Sequence, residues 1–336
     1  MPAMMRAMVL DKHADAATRP LRAADVPVPE PGEGEILVRV RACGVCRTDL
    51  HVIEADLPRQ RVPLVPGHQV VGTVERAGPG AGRFGAGARV GIAWLRSVCG
   101  RCSYCLSGRE NLCASSLYTG YHADGGYAEY AVVDEAFAYA LPDSIADLEA
   151  APLLCAGIIG YRALTLADVP GGGTLALFGF GSSAHVVLQI ARHRGHRVFV
   201  STRGESHRRL ALELGAEWAG STLEPPPEPV DSAIVFAPAG EIVPVALRAL
   251  ARGGTCALAG IHMTPVPPLE YESCLFHEKK LRSVEANTRA DGEGLLREAA
   301  AAGVRPRVTT FALEEANEAL VRLKTDRIDG SAVLVP

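Results

Sequence analysis

Four cysteines, Cys99, Cys102, Cys105 and Cys113, fall within fifteen residues, separated by spacers of two, two and seven. Spacers this short do not suit independent disulfide bridges, whereas four thiolates can close a tetrahedral shell around Zn²⁺. A closed shell leaves no position for a substrate. The set therefore predicts a structural zinc that stands in for the core that this Gly- and Ser-containing loop lacks.

A second group of ligand-type residues is dispersed: Cys46 in CGVCRTDLH, His68 in PGHQVVG and Cys155 in APLLCAGIIGYRAL. Two thiolates and one imidazole form a set used by catalytic zinc, with the fourth position open to water or a substrate oxygen. Spacing alone does not select these three. Cys155 reads equally well as a buried core thiol, His68 as a turn histidine, and Cys43 with Cys46 as a redox C-x-x-C.

A third pattern points to a nucleotide. Gly179-Phe180-Gly181-Ser182-Ser183-Ala184 has the form G-x-G-x-x-A and lies between an apolar strand and a helix-length segment. The first glycine permits a tight turn and the second lets backbone approach a pyrophosphate. The small Ala184 lets helix and strand pack while the helix N-terminus faces the anion. The following strand ends Ser201-Thr202-Arg203, with no carboxylate until Glu205. A site for NAD usually places Asp or Glu there, whereas hydroxyls and a guanidinium suit a 2′-phosphate, which predicts NADP(H) over NAD(H).

Two kinds of scaffold must position these residues. At 336 residues the length favours two domains, each able to bury a core. Residues 35–41 (EILVRVR) and 70–76 (VVGTVER) alternate as strands do, and Gly/Pro clusters punctuate them, which predicts a small β-barrel. After about residue 155 the texture changes to strands alternating with helix-length segments, the pattern of a doubly wound parallel sheet. In that reading SHRRLALELGAEWAG and EIVPVALRALARGG are helices, and the tail after about 289 adds two helices and two strands.

Composition narrows the partners. Lys and Arg number 34 against 38 Asp and Glu, a net charge of −4, so no broad cationic surface is available for nucleic acid. No apolar run approaches the roughly 20 residues that cross a bilayer, so no membrane association is expected. The first ten residues carry Arg6 and no small-residue cleavage site before Asp11, which reads as no signal peptide and a cytoplasmic protein.

Taken together, CGVCRTDLH, GHQVVGTV, the four-cysteine loop, LLCAG, GFGSSA and the closing GSAVLVP resemble, in order and interval, the zinc-dependent alcohol dehydrogenases of the medium-chain dehydrogenase/reductase superfamily. The resemblance covers essentially the whole chain. It implies a GroES-like β-barrel catalytic domain over residues 1–156 and 289–336, and a Rossmann domain over 157–288. It implies two zincs per chain, with Cys46, His68 and Cys155 holding the catalytic one. Thr48 then looks like the hydroxyl that meets the substrate oxygen, His51 like the outer member of a proton relay, and Asp49 like the carboxylate that orients a metal ligand. Arg47 resembles a pyrophosphate contact and Trp94 a wall of the substrate pocket. Ile261, His262 and Asn287 would lie on the nicotinamide side, and members of the family are homodimers or homotetramers.

Where relatives usually carry Glu after the zinc histidine, this chain has Gln69. The implied reaction is NADP(H)-linked interconversion of a small alcohol with an aldehyde or ketone. A polyol dehydrogenase, an NAD-preferring alcohol dehydrogenase, and a zinc- and NADPH-binding protein without turnover remain alternatives.

Overall fold

The structure is a computed structural model that describes residues 3–336. It comprises two compact units. The first takes residues up to Cys155 together with Thr288–Leu296 and Arg307–Pro336, and the second takes Ala156–Asn287 with Arg297–Pro306. The tail thus divides differently from the sequence expectation, which gave all of 289–336 to the first unit. The reason lies in the helix Arg289–Ala302: its Glu298 accepts two hydrogen bonds from the Arg194 guanidinium at 2.6 and 2.8 Å. Just beyond that helix the Arg305 N–H donates to Gln189 at 3.0 Å.

The first unit is built on a seven-stranded, mainly antiparallel sheet. Its central strand, Glu35–Val45, pairs antiparallel with Gln69–Ala77, Tyr130–Asp134 and the final strand Ser331–Val335. Apolar residues from successive strands, among them Ile36, Val38, Val70, Val90, Ile92 and Leu334, fill the interior. Each such side chain, fully buried, contributes about 1.5–3 kcal/mol relative to exposure. In the central pairing Gly44 faces Gln69 and Cys43 faces Val70.

The second unit holds a six-stranded, wholly parallel sheet. In space the order is Trp218–Gly220, Arg197–Ser201, Thr174–Phe178, Val230–Val235, Leu250–Leu258, Lys280–Ser283. The order reverses between Thr174–Phe178 and Val230–Val235, and ligands of open parallel sheets bind at such a reversal. Two expected helices prove shorter. The first ends at Glu213, and Trp218–Gly220 then pairs with Phe199–Ser201; the second ends at Ala249, where the strand Leu250–Leu258 begins. In both cases strand pairing at the sheet takes residues that local propensity gave to a helix.

One segment departs from the expectation of no span-length apolar run. The helix Asp147–Ala167 is 21 residues long, and its most apolar 18-residue window has a mean hydropathy of 1.5 and is 67% buried inside the protein. That burial marks it as a core helix. It is not regular throughout, since Leu153–Gly157 forms a π turn directly after Pro152.

Candidate metal centre and nucleotide turn

Strand register brings the dispersed ligands together. Because Gly44 sits opposite Gln69, the chain leaves one strand at Cys46 beside the point where it enters the other at His68. A slip of one residue would turn both side chains to opposite faces. Helix α1 (Arg47–Glu54) begins immediately after Cys46, and Asp49 serves both structures. Its Oδ2 accepts the Cys46 N–H at 2.8 Å, capping the helix, while Oδ1 lies 3.1 Å from His68 Nδ1. A carboxylate can only accept, so Nδ1 carries a hydrogen, and in the neutral ring that a metal would require the lone pair is confined to Nε2. Nε2 lies 3.4 Å from Cys46 Sγ, and Cys155 Sγ lies 3.8 Å from the same sulfur.

Both Asp49 and His68 are 1% exposed. Burial pushes the Asp49 carboxyl up, opposed by the His68 imidazole. Burial pushes His68 down, yet the Asp49 carboxylate and Cys46 sulfur together lift it to about 10. Cys46 is held well below the ordinary thiol value by Cys155, His68 and the Thr48 hydroxyl, against the cost of burial. The three donor atoms lie within 4.8 Å of one another. A thiolate, a second sulfur and an oriented imidazole converge here, a donor set that fits Zn²⁺.

Cys155 reaches the cluster because the π turn Leu153–Gly157 re-aims the helix at that point. Its neighbour Leu154 occupies space over Gly91, where a Cβ would lie 2.6 Å from a Leu154 methyl. Gly44 plays a similar part beside Gln69, since a Cβ there would come within 2.8 Å of the Gln69 side-chain amide. Gln69 itself is buried, and its Nε2 has no hydrogen-bond partner among the described residues.

Trp94 stands edge-on to His68, with ring centroids 5.0 Å apart, and is stacked with Tyr118 at 4.9 Å and Tyr121 at 5.6 Å. The sequence reading found Trp94 and missed both tyrosines. Their spacing gives no local signal, because the short pairing of Leu95–Ser97 with Leu117–Tyr118 is what brings them under the indole.

Leu50, Val52 and Ile53 of α1 are buried, whereas Arg47 and His51 reach toward solvent. The Arg47 guanidinium is paired with Asp326 at 2.7 Å, both about half exposed. His51 Nδ1 lies 2.9 Å from Asp56 Oδ2. Neither acid was marked from sequence.

In the loop between residues 99 and 113 the four sulfurs likewise lie within 4.8 Å of one another. Cys102 and Cys105 are 3.5 Å apart, Cys99 and Cys105 3.9 Å, and the Cys99 N–H donates to Cys113 Sγ at 3.5 Å. The Arg101 and Cys102 backbone N–H groups bring the Cys99 thiol down to about 6. Desolvation, with Cys102 as hydrogen-bond partner, pushes Cys105 up to about 12. Four sulfurs around one point with backbone donors behind them fit a second Zn²⁺.

In the second unit Gly179 has φ +89°, a left-handed conformation that disfavours side chains, and a Cβ there would also lie 3.0 Å from the Ala237 nitrogen. Gly181 is open, with nothing within 4 Å of where a Cβ would stand. Helix α2 (Ser182–His193) starts directly after it, with Ser182 and Ser183 part-exposed and Ala184 buried against the sheet. The turn therefore offers a helix N-terminus that a pyrophosphate can approach closely.

At the next strand end Thr202 is 4% exposed and its N–H donates to Gly220 O at 3.0 Å, so it is a packed residue, whereas Arg203 is exposed. Glu205 is paired with Arg208 at 2.6 Å, and Arg208 also donates to the Thr202 and Arg203 carbonyls. Ile261 and His262 lie exposed beyond the carboxyl end of Leu250–Leu258, and Asn287 is buried.

Comparison with known proteins agrees with this geometry. Residues 32–143 match the alcohol dehydrogenase GroES-like domain and residues 184–301 the zinc-binding dehydrogenase domain. The chain is 49% identical to the probable alcohol dehydrogenase AdhA of Mycobacterium tuberculosis, over 99% of this chain and 98% of that protein. The structure of a cinnamyl alcohol dehydrogenase from Sorghum bicolor superposes with a TM-score of 0.89 at 27% identity, covering 99% and 98% of the two chains. A zinc-binding dehydrogenase from Sinorhizobium meliloti bound to NADP gives 0.87 at 27%, covering 99% and 100%. With its GroES-like unit, its Rossmann unit and its two sets of zinc-type ligands, the chain belongs to the zinc-dependent alcohol dehydrogenases of the medium-chain dehydrogenase/reductase superfamily.

Proposed function

We propose that the protein interconverts a small alcohol with its aldehyde or ketone by hydride transfer with NADP(H). One zinc is held by Cys46, His68 and Cys155, and a second by Cys99, Cys102, Cys105 and Cys113. The observation that carries this reading is the convergence of Cys46 Sγ, His68 Nε2 and Cys155 Sγ with the Asp49 carboxylate behind the imidazole. A zinc ion there supplies Lewis acidity, which brings the pKa of an alcohol oxygen within reach of neutral pH.

The chain's own residues supply the rest. Asp49 fixes the tautomer of His68. Thr48, in the first turn of α1, passes the substrate's proton, and its hydroxyl can serve only as a conduit. His51, three residues on and so on the same face of α1, exchanges that proton with solvent. Trp94, backed by Tyr118 and Tyr121, presents an aromatic surface beside the centre and favours a poorly hydrated, apolar substrate.

The dinucleotide pyrophosphate is assigned to Gly179, Gly181, Ser182, Ser183 and Ala184, with Arg47 as a further contact. Two features support NADP(H) over NAD(H): Arg203 is exposed at the strand end, and Arg208 neutralises Glu205, the nearest carboxylate. Ile261, His262 and Asn287 complete the nicotinamide side of this reading. By family resemblance it extends to a homodimer or homotetramer in the cytoplasm.

The test joins metal analysis to kinetics. We expect about two zincs per chain, loss of turnover with retained fold in Cys46→Ser, and a higher kcat/KM with NADPH than with NADH that falls in Arg203→Ala. Full activity in Cys46→Ser overturns the zinc assignment, and a preference for NADH overturns the cofactor assignment.

A further inference from the structure

We propose that Asp56 is a positioning residue for proton exit: it grips the His51 imidazole at Nδ1 and leaves Nε2 as the nitrogen that takes and gives the proton. The inference rests on the relay reading of Thr48 and His51.

The geometry begins with how α1 ends. Ala55 adopts the left-handed conformation at φ +61°, its N–H reaches back to Val52, and the Asp56 N–H donates to His51 O at 3.0 Å. This is a Schellman turn. Residues five apart do not meet on a regular helix, where neighbours are three and four apart. Here the left-handed residue folds the chain back, so that the Asp56 carboxylate arrives 2.9 Å from His51 Nδ1. The same residue therefore holds His51 twice, through its backbone N–H and through its carboxylate. Ala at a left-handed position costs about 1–2 kcal/mol, and the chain accepts that cost at the one turn that delivers this contact.

The two partners differ in exposure. The His51 side chain is 16% exposed and that of Asp56 45%. A pair with one half in water adds little to stability. Orientation is what it can supply. Since a carboxylate only accepts, Nδ1 carries a hydrogen in both protonation states of the ring, and the lone pair of neutral His51 is confined to Nε2.

In alcohol oxidation the proton accounting is then complete. The substrate hydroxyl proton passes by way of the Thr48 hydroxyl, which gives up one proton as it takes one, and ends on His51 Nε2, while NADP⁺, when bound, would supply the hydride acceptor. His51 becomes an imidazolium whose Nδ1–H stays on Asp56, and Nε2 hands its proton to buffer. Reduction runs the same transfers backwards.

The experiment uses zinc-replete protein with NADP⁺ and benzyl alcohol as the probe. In Asp56→Ala we expect kcat to fall about tenfold, with the KM for NADP⁺ unchanged and a larger solvent deuterium isotope effect. Free imidazole should restore turnover in the variant and not in the parent. Independently of activity, ¹⁵N-histidine NMR should show His51 as the Nδ1–H tautomer in the parent and as a mixture in Asp56→Ala. An unchanged tautomer together with unchanged kcat overturns the role of Asp56. A fall in kcat with an unchanged tautomer and no imidazole rescue makes Asp56 merely structural and overturns it too. His51→Gln separates the levels: if it is slowed while Asp56→Ala is not, only the Asp56 proposal fails. If His51→Gln keeps full kcat and its isotope effect, the relay reading fails and takes the proposal with it.

Discussion

The two cysteine clusters of the first unit are made in opposite ways. The loop cluster draws four ligands from one short segment, its thiols are steered by neighbouring backbone N–H groups, and three of its four cysteines are part-exposed. The other cluster draws Cys46 and Cys155 from positions 109 residues apart and adds a fully enclosed histidine braced by a carboxylate. A loop cluster has little packing of its own, so its shape depends on the metal. The dispersed cluster takes its shape from strand register, a helix cap and a π turn. The same element in the two places would therefore be a fold determinant in one and a reagent in the other.

That contrast can be broken by substitution. The largest effect is expected from Cys102→Ser: one zinc per chain should be lost and the loop should become sensitive to limited proteolysis. The dispersed cluster should stay intact, with kcat per remaining zinc within about twofold of the parent, since a ligand set that closes on itself would touch no substrate. Parallel loss of both zincs would show that the two clusters are not independent.

Asp49→Asn tests the other side. It keeps the size of the side chain but weakens the brace on His68, and a loss of about 10- to 100-fold in metal affinity or kcat/KM is expected, with the loop zinc retained. Competition with a chelator, read separately for each site, checks it. A smaller effect is expected from Gly44→Ala, where the new methyl meets Gln69 at 2.8 Å. Overpacking there should cost about 1–3 kcal/mol of stability, measurable by denaturant unfolding, and should disturb the Cys46–His68 register more than the loop.

The same contrast explains what could be read from the residues alone. The loop cluster announces itself because all its ligands are local in sequence. The nucleotide turn does so as well, because strand, glycines and helix follow one another directly. For Cys46, His68 and Cys155, spacing leaves a core thiol and a turn histidine as equal readings, and the choice came from resemblance to a family. Tyr118, Tyr121 and Asp56 carried no signal, since the first two reach Trp94 through a short strand pairing and the third reaches His51 only after a left-handed residue. Thr202 is read as a ligand only from its place at a strand end, and its 4% exposure carries no signal in the sequence. The division of the helix Arg289–Ala302 between the two units was likewise invisible, because it depends on ion pairing of Glu298 with Arg194.

Cys155 is the last residue of the first unit's long opening segment, and Ala156 opens the second unit. On the zinc assignment proposed above, a metal ligand thus sits at the covalent seam of two modules. Recombination that exchanges the nucleotide unit has to cut after this cysteine and within a π turn, or the incoming module must bring a thiol of its own in the same phase. Shuffling of cofactor preference among such chains by transplantation is therefore constrained at this junction as well as within the divided helix Arg289–Ala302, and a chimera whose incoming segment starts a few positions upstream and brings no thiol should fold both modules and still lack a complete metal centre.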